Sequence, residues 1–547
     1  MKVLLVLCVL CGCAIQGLAL DREAFTFTSY DLNVRIEPEQ QRLAVRGKIT
    51  LRNDSGKPQS NLALQISSSL DWRSIRTNSK AAQFITQEYD SDIDHTGSLS
   101  EAIVSFPKEI PPNGTVEFEV GYEGTVPLDT SRLTRVGVPQ EKAKHADWDQ
   151  ISKTFTAVRG IGYVTWYPVG TEDASLSDGN TVEETIGRWQ SKEANAEMLV
   201  SLQSTAGTAM FSGTPSAGKA TKFSAPQSGL LEPTFVIANY QVLKPADGIR
   251  VFYSEGQKDS AEAYADVAAR AEPLFKDEHR AADLDVISLP DVEAQPFVTE
   301  GMLLTPLTSA MTNQAELAIV YAKARQLSRS PRAWIEDGLA HYAQAKFIEA
   351  QKGRQAALDY MKSHASGLVE AEKKADAARS LVTSPDDVFL QVKAMYVWWM
   401  LKDMLDKKLT DALLSYQAAD DKDISYMPQL IAKDSQRDLQ WFFDDWVYHD
   451  HGLPDFKVDS VFVTPIQTGG FLVTISIENL GTAGAEVPFV LQTKTTEIRK
   501  SLEVRAKSKA SIRIETQSEP QQVTVNDGSV PETDTGNNVY KIEGESH

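Results

Sequence analysis

Residues 333–350 have the sequence Ala-Trp-Ile-Glu-Asp-Gly-Leu-Ala-His-Tyr-Ala-Gln-Ala-Lys-Phe-Ile-Glu-Ala, and the predicted fold is built outward from this stretch. Its apolar residues recur at helical spacing, which predicts a helix of about five turns. Four further runs have the same periodicity: 314–327, 355–378, 390–406 and 437–448. Together these runs predict a mainly helical region in the middle of the chain.

Strand patterns flank this helical region on both sides. Residues 25–36 and 46–52 alternate roughly every second position, and turn clusters separate such runs. Two strand-like runs, 249–253 and 284–289, precede the helices, and alternation returns after residue 460. We therefore predict a multidomain β and α+β protein: an N-terminal β-sandwich or saddle over 20–245, a mainly helical domain over 246–452 and an immunoglobulin-like β-sandwich over 453–547.

The composition of the 547 residues is that of an ordinary globular protein, with 42% hydrophobic and 24% charged residues. The formal net charge is −20, from 75 acidic and 55 basic residues. A surface with this charge repels phosphate backbones, so nucleic acid is not an expected partner. No run after the N-terminus is apolar for the roughly 18 residues that a membrane-spanning helix requires.

The N-terminus has the pattern of a secretory signal peptide over residues 1–19: a lysine, a short apolar core and small residues before a cleavage point near Ala19. All three cysteines lie inside it, so the mature chain would carry no disulfide, thiolate ligand or thiol nucleophile. We expect an exported protein, periplasmic or secreted. The alternative is a lipoprotein anchored through Cys13, because residues 10–13 resemble a lipobox.

Histidine spacing excludes the commonest zinc-helix motif. None of the eight histidines is followed by Glu and no two lie four residues apart, so H-E-x-x-H is absent. Aromatic residues occur at helical spacing in two segments and predict packing between two helices rather than a ligand cage. They are Tyr396, Trp398 and Trp399 in the first segment, and Trp441, Phe442, Phe443 and Trp446 in the second.

Five collinear segments nevertheless resemble the aminopeptidase N family of zinc metallopeptidases (gluzincins). One is Trp334-Ile-Glu-Asp-Gly-Leu-Ala-His-Tyr342, which is similar to the family segment that carries the third zinc ligand. The others are the segments 163–169, 232–240, 392–401 and 439–446, the last followed by Gly452-Leu-Pro. The resemblance implies a thermolysin-like middle domain between two β domains, and a catalytic zinc.

The departures from the family pattern fall on the residues that would carry the chemistry. In the matching register Tyr321 and Arg325 replace the two histidine ligands, and Ala322 replaces the general-base Glu. Asp337 lies at the third ligand, with Glu336 beside it. Arginine carries a permanent positive charge and alanine has no base, so this set would neither hold zinc nor activate water. We therefore expect no cofactor.

Two further family positions have also changed. Gln391 occupies the position at which the family has the tyrosine that stabilises the oxyanion. Glu300-Gly301-Met302 lies where the family's G-x-M-E-N strand would line the substrate cleft, but the Glu of that motif is replaced by Leu303 or Leu304.

Three functions remain open from the sequence. The first is a non-catalytic exported relative of the aminopeptidases with a cleft for peptides or another exported protein, in which Glu336 or Asp337 pairs with Arg325 or Arg332. The second is an active metalloaminopeptidase with non-standard ligands. The third is a carboxylate-based hydrolase, for which Glu300 and Glu336 form the natural pair.

Overall fold

The structure is a computed structural model. It describes residues 20–179, 181–204, 207–212, 214–215, 222–225, 230, 232–246, 248–275, 283–308, 310–328, 330–373, 380–382, 388–449, 451–467 and 469–542. The predicted signal peptide and Cys13 lie outside the described residues. Among the described helices, none is long and apolar enough to cross a membrane.

The N-terminal region is built mainly from strands, and alternating burial explains why. In the first strand Leu32, Val34 and Ile36 are buried, while the residues between them face solvent or are half-buried. The strands are β1 (Phe25–Glu37), β2 (Arg42–Asn53), β3 (Gln59–Ser67), β4 (Leu70–Thr77), β5 (Lys80–Ala81), β6 (Gln83–Asp90), β7 (Ser98–Ile110), β8 (Thr115–Thr125), β9 (Gln150–Ile151), β10 (Phe155–Val158), β11 (Glu197–Ser204), β12 (Thr208–Phe211), β13 (Thr214–Pro215), β14 (Lys222–Ala225) and β15 (Phe235–Ala238).

These strands form three sheets. The largest has the order β13-β14-β11-β1-β2-β8-β4-β5, and the others are β3-β7-β6 and β12-β15-β10-β9. β1 pairs in parallel with β11 and antiparallel with β2. Apolar residues from all three sheets share one core cluster.

Three helices interrupt this β region, and the sequence interpretation missed them. They are α1 (Ser131–Arg135), α2 (Gln140–Ala146) and α3 (Thr181–Glu193). α3 buries Val182 and Trp189 on one face and has Glu183 and Glu184 in its first turn, where negative charge suits the positive end of the helix dipole. Its polar composition hid this periodicity, so the expectation of an all-strand region was wrong here.

The middle region begins with a mixed sheet of order β16-β17-β18-β20-β19. Its strands are β16 (Gln241–Ala246), β17 (Ile249–Tyr253), β18 (Leu284–Ser288), β19 (Phe297–Thr299) and β20 (Met302–Thr305). The predicted domain boundary at 245/246 falls inside β16, which pairs with β17.

Helices pack against this sheet and against one another; the first lies between β17 and β18 in the chain, and the others follow β20. They are α4 (Lys258–Ala271), α5 (Asn313–Ser328), α6 (Ala333–Lys352), α7 (Arg354–Glu372), α8 (Ala394–Leu405), α9 (Lys407–Ser415), α10 (Tyr426–Ser435) and α11 (Gln440–Phe443). π-helical turns at Phe389–Lys393 and Asp444–Tyr448 extend α8 and α11. The predicted run 355–378 is helical only to Glu372 in the described part of the chain, and the run from 437 becomes helical at Gln440.

The C-terminal strands form two antiparallel sheets, β21-β22-β25 and β24-β23-β26-β27. They are β21 (Phe456–Pro465), β22 (Phe471–Asn479), β23 (Ala485–Thr493), β24 (Glu497–Val504), β25 (Lys509–Thr516), β26 (Pro520–Val525) and β27 (Val539–Lys541). Their inner faces share one hydrophobic cluster with α6, α7, α8 and α11, so the core is continuous across residue 452.

Candidate functional site

The N-terminal part of α6 is held in place by tryptophan packing. Trp334 stacks on Trp398 of α8 with ring centroids 5.3 Å apart, and the Trp398 indole donates a hydrogen bond to the Trp334 carbonyl at 3.0 Å. Gly338 lies at this contact, where an added Cβ would come within 2.8 Å of the Ala394 Cβ. The close approach of α6 and α8 fixes the turn that carries Glu336 and Asp337.

Arg325 of α5 binds both of these carboxylates. Its Nη2 donates to Glu336 Oε1 at 2.8 Å and its Nη1 donates to Asp337 Oδ1 at 2.8 Å. The Tyr321 hydroxyl donates to Asp337 Oδ1 at 2.6 Å and accepts from Arg325 Nη1 at 2.9 Å. These four residues, called the Arg325 cluster below, cross-link α5 and α6 by charge-assisted hydrogen bonds.

Burial and charge oppose each other in the Arg325 cluster. Burial raises the pKa of Glu336 to about 7, although the nearby Arg325 guanidinium lowers it. Burial also disfavours the charge on Arg325, but Asp337, Tyr321 and Glu336 outweigh it and raise the pKa of Arg325 above its usual value. Glu336 Oε2 is buried without a hydrogen-bond partner. The charge on Glu336 therefore depends on Arg325.

The sequence did not determine whether Arg325 or Arg332 pairs with the carboxylates of Glu336 and Asp337, and the contacts in the structure answer this question. Arg325 takes both carboxylates, whereas Arg332 donates from Nε to Asp421 Oδ1 at 2.8 Å. Ala322 is fully buried in the cluster that packs α5 against Val286 and Leu303 of the sheet. The side chain at position 322 thus belongs to this core and not to an open cleft.

A cavity of about 650 Å³ lies beside the Arg325 cluster, between the N-terminal region and the helices. Tyr321, Arg325, Asp337 and Gln391 all line it, so the structure brings these predicted positions together. Its apolar wall comes largely from α3 and the segments around it. The apolar residues there are Leu133, Leu176, Val182, Ile186 and Leu230.

Glu232 adds a carboxylate to this cavity that the sequence interpretation gave no role. Gln190 of α3 donates to its Oε1 at 2.8 Å. Burial raises the pKa of Glu232, the charge of Arg325 lowers it, and Asp337 raises it again. Its position before β15 was visible in the sequence, but only α3, which was missed, shows that it faces a cavity.

The segment expected to line a substrate cleft is placed differently. Met302 begins β20, is only 2% exposed, and packs with Phe252, Ile287 and Phe297 in an apolar cluster. Leu303 and Leu304 are fully buried too. Met302 is thus a core residue and does not line a cleft, because β20 is an inner strand of its sheet. Gly301 adopts φ +69°, which forms the turn into β20, and Glu300 adds a negative charge near Glu336.

The residues at the aligned zinc positions do not fit a zinc ion. Zinc sites need three protein ligands with available lone pairs. Arg325 has none, and the Tyr321 oxygen already accepts a hydrogen bond from Arg325 Nη1 while its hydroxyl donates to Asp337. Among the described residues, no three His, Cys, Asp or Glu side chains are grouped in a way that would hold a metal ion.

Comparisons with known proteins do not assign a family. No protein-family model matches the sequence, and no curated protein matches it. Among solved structures, the chain is similar to a mutant M1 zinc metallopeptidase from Deinococcus radiodurans bound to a Tyr-Ser-Ala substrate. The sequences are 14% identical, the TM-score is 0.48, and the match covers 78% of this chain and 94% of that one. At this level of similarity, neither activity nor metal content transfers to this chain.

Proposed function

We propose that the protein is an exported, non-catalytic relative of the aminopeptidase N family that binds a peptide or a segment of another exported protein. The observation that carries the proposal is Arg325, whose guanidinium lies between Glu336 and Asp337 at the aligned zinc positions. A permanent cation there replaces the electrostatic function of a metal ion without supplying an open coordination position.

Support for the binding function comes from the cavity beside the Arg325 cluster. Its volume of about 650 Å³ lies within the roughly 300–1,000 Å³ range of ligand sites. One wall is apolar, while Glu232, Asp337 and Gln391 bring polar groups to the same space. Apolar walls with a few fixed polar groups suit an extended peptide with side chains on one face and hydrogen-bonding groups on the other.

The burial of Glu336 argues against a carboxylate-based hydrolase. Its side chain is 1% exposed and Arg325 occupies Oε1. A general acid or nucleophile has to reach the scissile bond of the substrate. The burial of Glu336 and its pairing with Arg325 therefore support the non-catalytic proposal over a Glu300–Glu336 catalytic pair.

Activity is tested with a panel of aminoacyl amides and short peptides. We expect no hydrolysis above the rate without protein, either with added Zn²⁺ or with a chelator. Turnover that a chelator abolishes would overturn the proposal in favour of an active metalloaminopeptidase.

Binding is tested with pools of three- to six-residue peptides and a pair of tryptophan variants. Gln391→Trp places a large side chain in the cavity, while Gln429→Trp adds the same side chain to an exposed position on α10. We expect Gln391→Trp to weaken peptide binding at least about tenfold and Gln429→Trp to leave it unchanged. Equal binding by both variants would show that the cavity is not the peptide site.

A further inference from the structure

A second pocket lies further along the α5–α6 pair, beyond the Arg325 cluster. The cluster occupies the C-terminal half of α5 and the N-terminal half of α6. The pocket lies at the opposite ends of these helices, where α4 and α7 also reach it. Its volume is about 570 Å³, in the range of small-molecule sites. It shares no lining residue with the cavity beside the Arg325 cluster.

Part of the lining of this pocket is apolar, and the polar and charged residues make up the rest. Phe347 is buried at its base and packs in a small core cluster with Val320 and Ala324. Leu317, Ile348 and Tyr360 are half-buried around it. The Tyr360 hydroxyl donates to Gln344 Oε1 at 3.2 Å, so its polar group already has a partner within the protein. A ligand with an extended hydrocarbon part would cover surface that this small core leaves open.

The rim of the pocket carries a local excess of positive charge on a chain whose net charge is −20. Arg270 and Lys352 both line it, against one carboxylate from Glu316. Glu316 Oε1 accepts from one Arg270 Nη at 2.6 Å, which leaves other N–H groups of the guanidinium for a second acceptor. Lys352 is exposed at the end of α6 and, among the described residues, forms no ion pair. The two cations and one carboxylate give the rim a net charge of +1, which one carboxylate group of a ligand would neutralise.

We infer that the pocket binds a long-chain carboxylate of the fatty-acid type, with its hydrocarbon chain against Phe347 and Leu317 and its head group between Lys352 and Arg270. The apolar walls supply most of the affinity by removing the chain from water. The two cations select the anionic head group over a neutral one. This site is independent of the proposed peptide-binding function.

The first test measures dodecanoate binding to the purified protein by calorimetry, with 1-dodecanol as the neutral comparison. We expect saturable binding of one dodecanoate per chain and weaker binding of the alcohol. Ala356→Trp fills the pocket from α7, and Gln355→Trp adds the same side chain one residue earlier, outside the lining. Ala356→Trp should weaken binding at least about tenfold, and Gln355→Trp should not change it.

Charge variants test the head-group position without filling the pocket. Lys352→Gln should weaken dodecanoate binding about two- to fivefold, because exposed charge pairs contribute modestly. Glu316→Gln should strengthen it by a similar factor, because it removes the competing carboxylate. Neither change should affect the alcohol. Absence of dodecanoate binding, equal binding by Ala356→Trp, or charge effects of the wrong sign would overturn the inference.

Discussion

The Arg325 cluster and the aromatic core around Trp446 both join helices to neighbouring elements, but they use different forces. In the cluster, one guanidinium and two carboxylates hold α5 to α6. Around Trp446, apolar packing joins the segment after α11 to α8 and to the C-terminal sheets, and the indole donates to the Gly484 carbonyl at 2.7 Å. In aromatic packing, the stability lost on truncation grows with the volume of side chain that is removed. In a buried ion pair, removing either partner leaves a buried charge without compensation.

The largest expected loss comes from the aromatic core. Trp446→Ala should lower the free energy of unfolding by about 4–5 kcal/mol, because it leaves a cavity and removes the bond to Gly484. Trp441→Ala is the control, since this ring is only half-buried and lies against the Arg505 guanidinium at 4.0 Å. Urea unfolding of both variants measures the difference. Equal losses would contradict the placement of Trp446 at the centre of this core.

Removing the guanidinium should cost nearly as much. Arg325→Ala should destabilise the protein by about 3–5 kcal/mol at pH 8, because Glu336 and Asp337 are left without a positive partner. A triple variant with Arg325→Met, Glu336→Gln and Asp337→Asn is the control and should recover most of the loss. If Arg325→Ala lowers the free energy of unfolding by less than about 1 kcal/mol, water that enters the site stabilises the two carboxylates in place of the guanidinium.

The pH dependence of stability separates the two regions further. Folding raises the pKa of Glu336 from 4.5 to about 7, so the folded state holds this proton more tightly than the unfolded state. The resulting stabilisation is complete below pH 4.5 and is lost as the pH rises through about 7. Its size is about 3 kcal/mol, since one pKa unit corresponds to roughly 1.4 kcal/mol.

Glu336→Gln measures this contribution directly. Urea unfolding between pH 5 and 8 should show wild-type protein losing about 2.5 kcal/mol relative to the variant, since part of the full effect is already lost at pH 5. Glu370→Gln, a change at an exposed glutamate, is the control and should follow the wild-type pH profile. A Glu336→Gln profile parallel to wild type would mean that Glu336 keeps one protonation state throughout.

The smallest expected effect is that of a chelator. Because Arg325 already cross-links α5 and α6, we expect the melting temperature to stay within about 1 °C of its value when EDTA is added. Elemental analysis of the purified protein should find no stoichiometric zinc. A tight zinc site in calorimetric titration, or a large fall in melting temperature with EDTA, would overturn the proposed replacement of metal by arginine.

Sequence periodicity was most informative where many residues report the same environment. The aromatic residues at 396–399 and 441–446 were expected to pack in a core, and they share one cluster. The strand-like runs predicted at 249–253 and 284–289 are strands in the structure, although the second ends at Ser288. α3 was missed because a mostly polar helix shows too weak a pattern. Without α3, one wall of the cavity could not be predicted.

The sequence by itself determined that the H-E-x-x-H motif is absent and that Arg325 lies close along the chain to Glu336 and Asp337. Only the tertiary structure decided the pairing, because Arg325, Arg332, Glu336 and Asp337 are close in sequence and several pairings are compatible with it. Packing of Trp334 and Gly338 against α8 sets the orientation of α6. In this orientation the carboxylates of Glu336 and Asp337 accept hydrogen bonds from Arg325, whereas Arg332 donates to Asp421. The burial of Met302 was likewise decided by the tertiary structure, since the apolar cluster around it contains residues far away in sequence, such as Phe252 and Trp148.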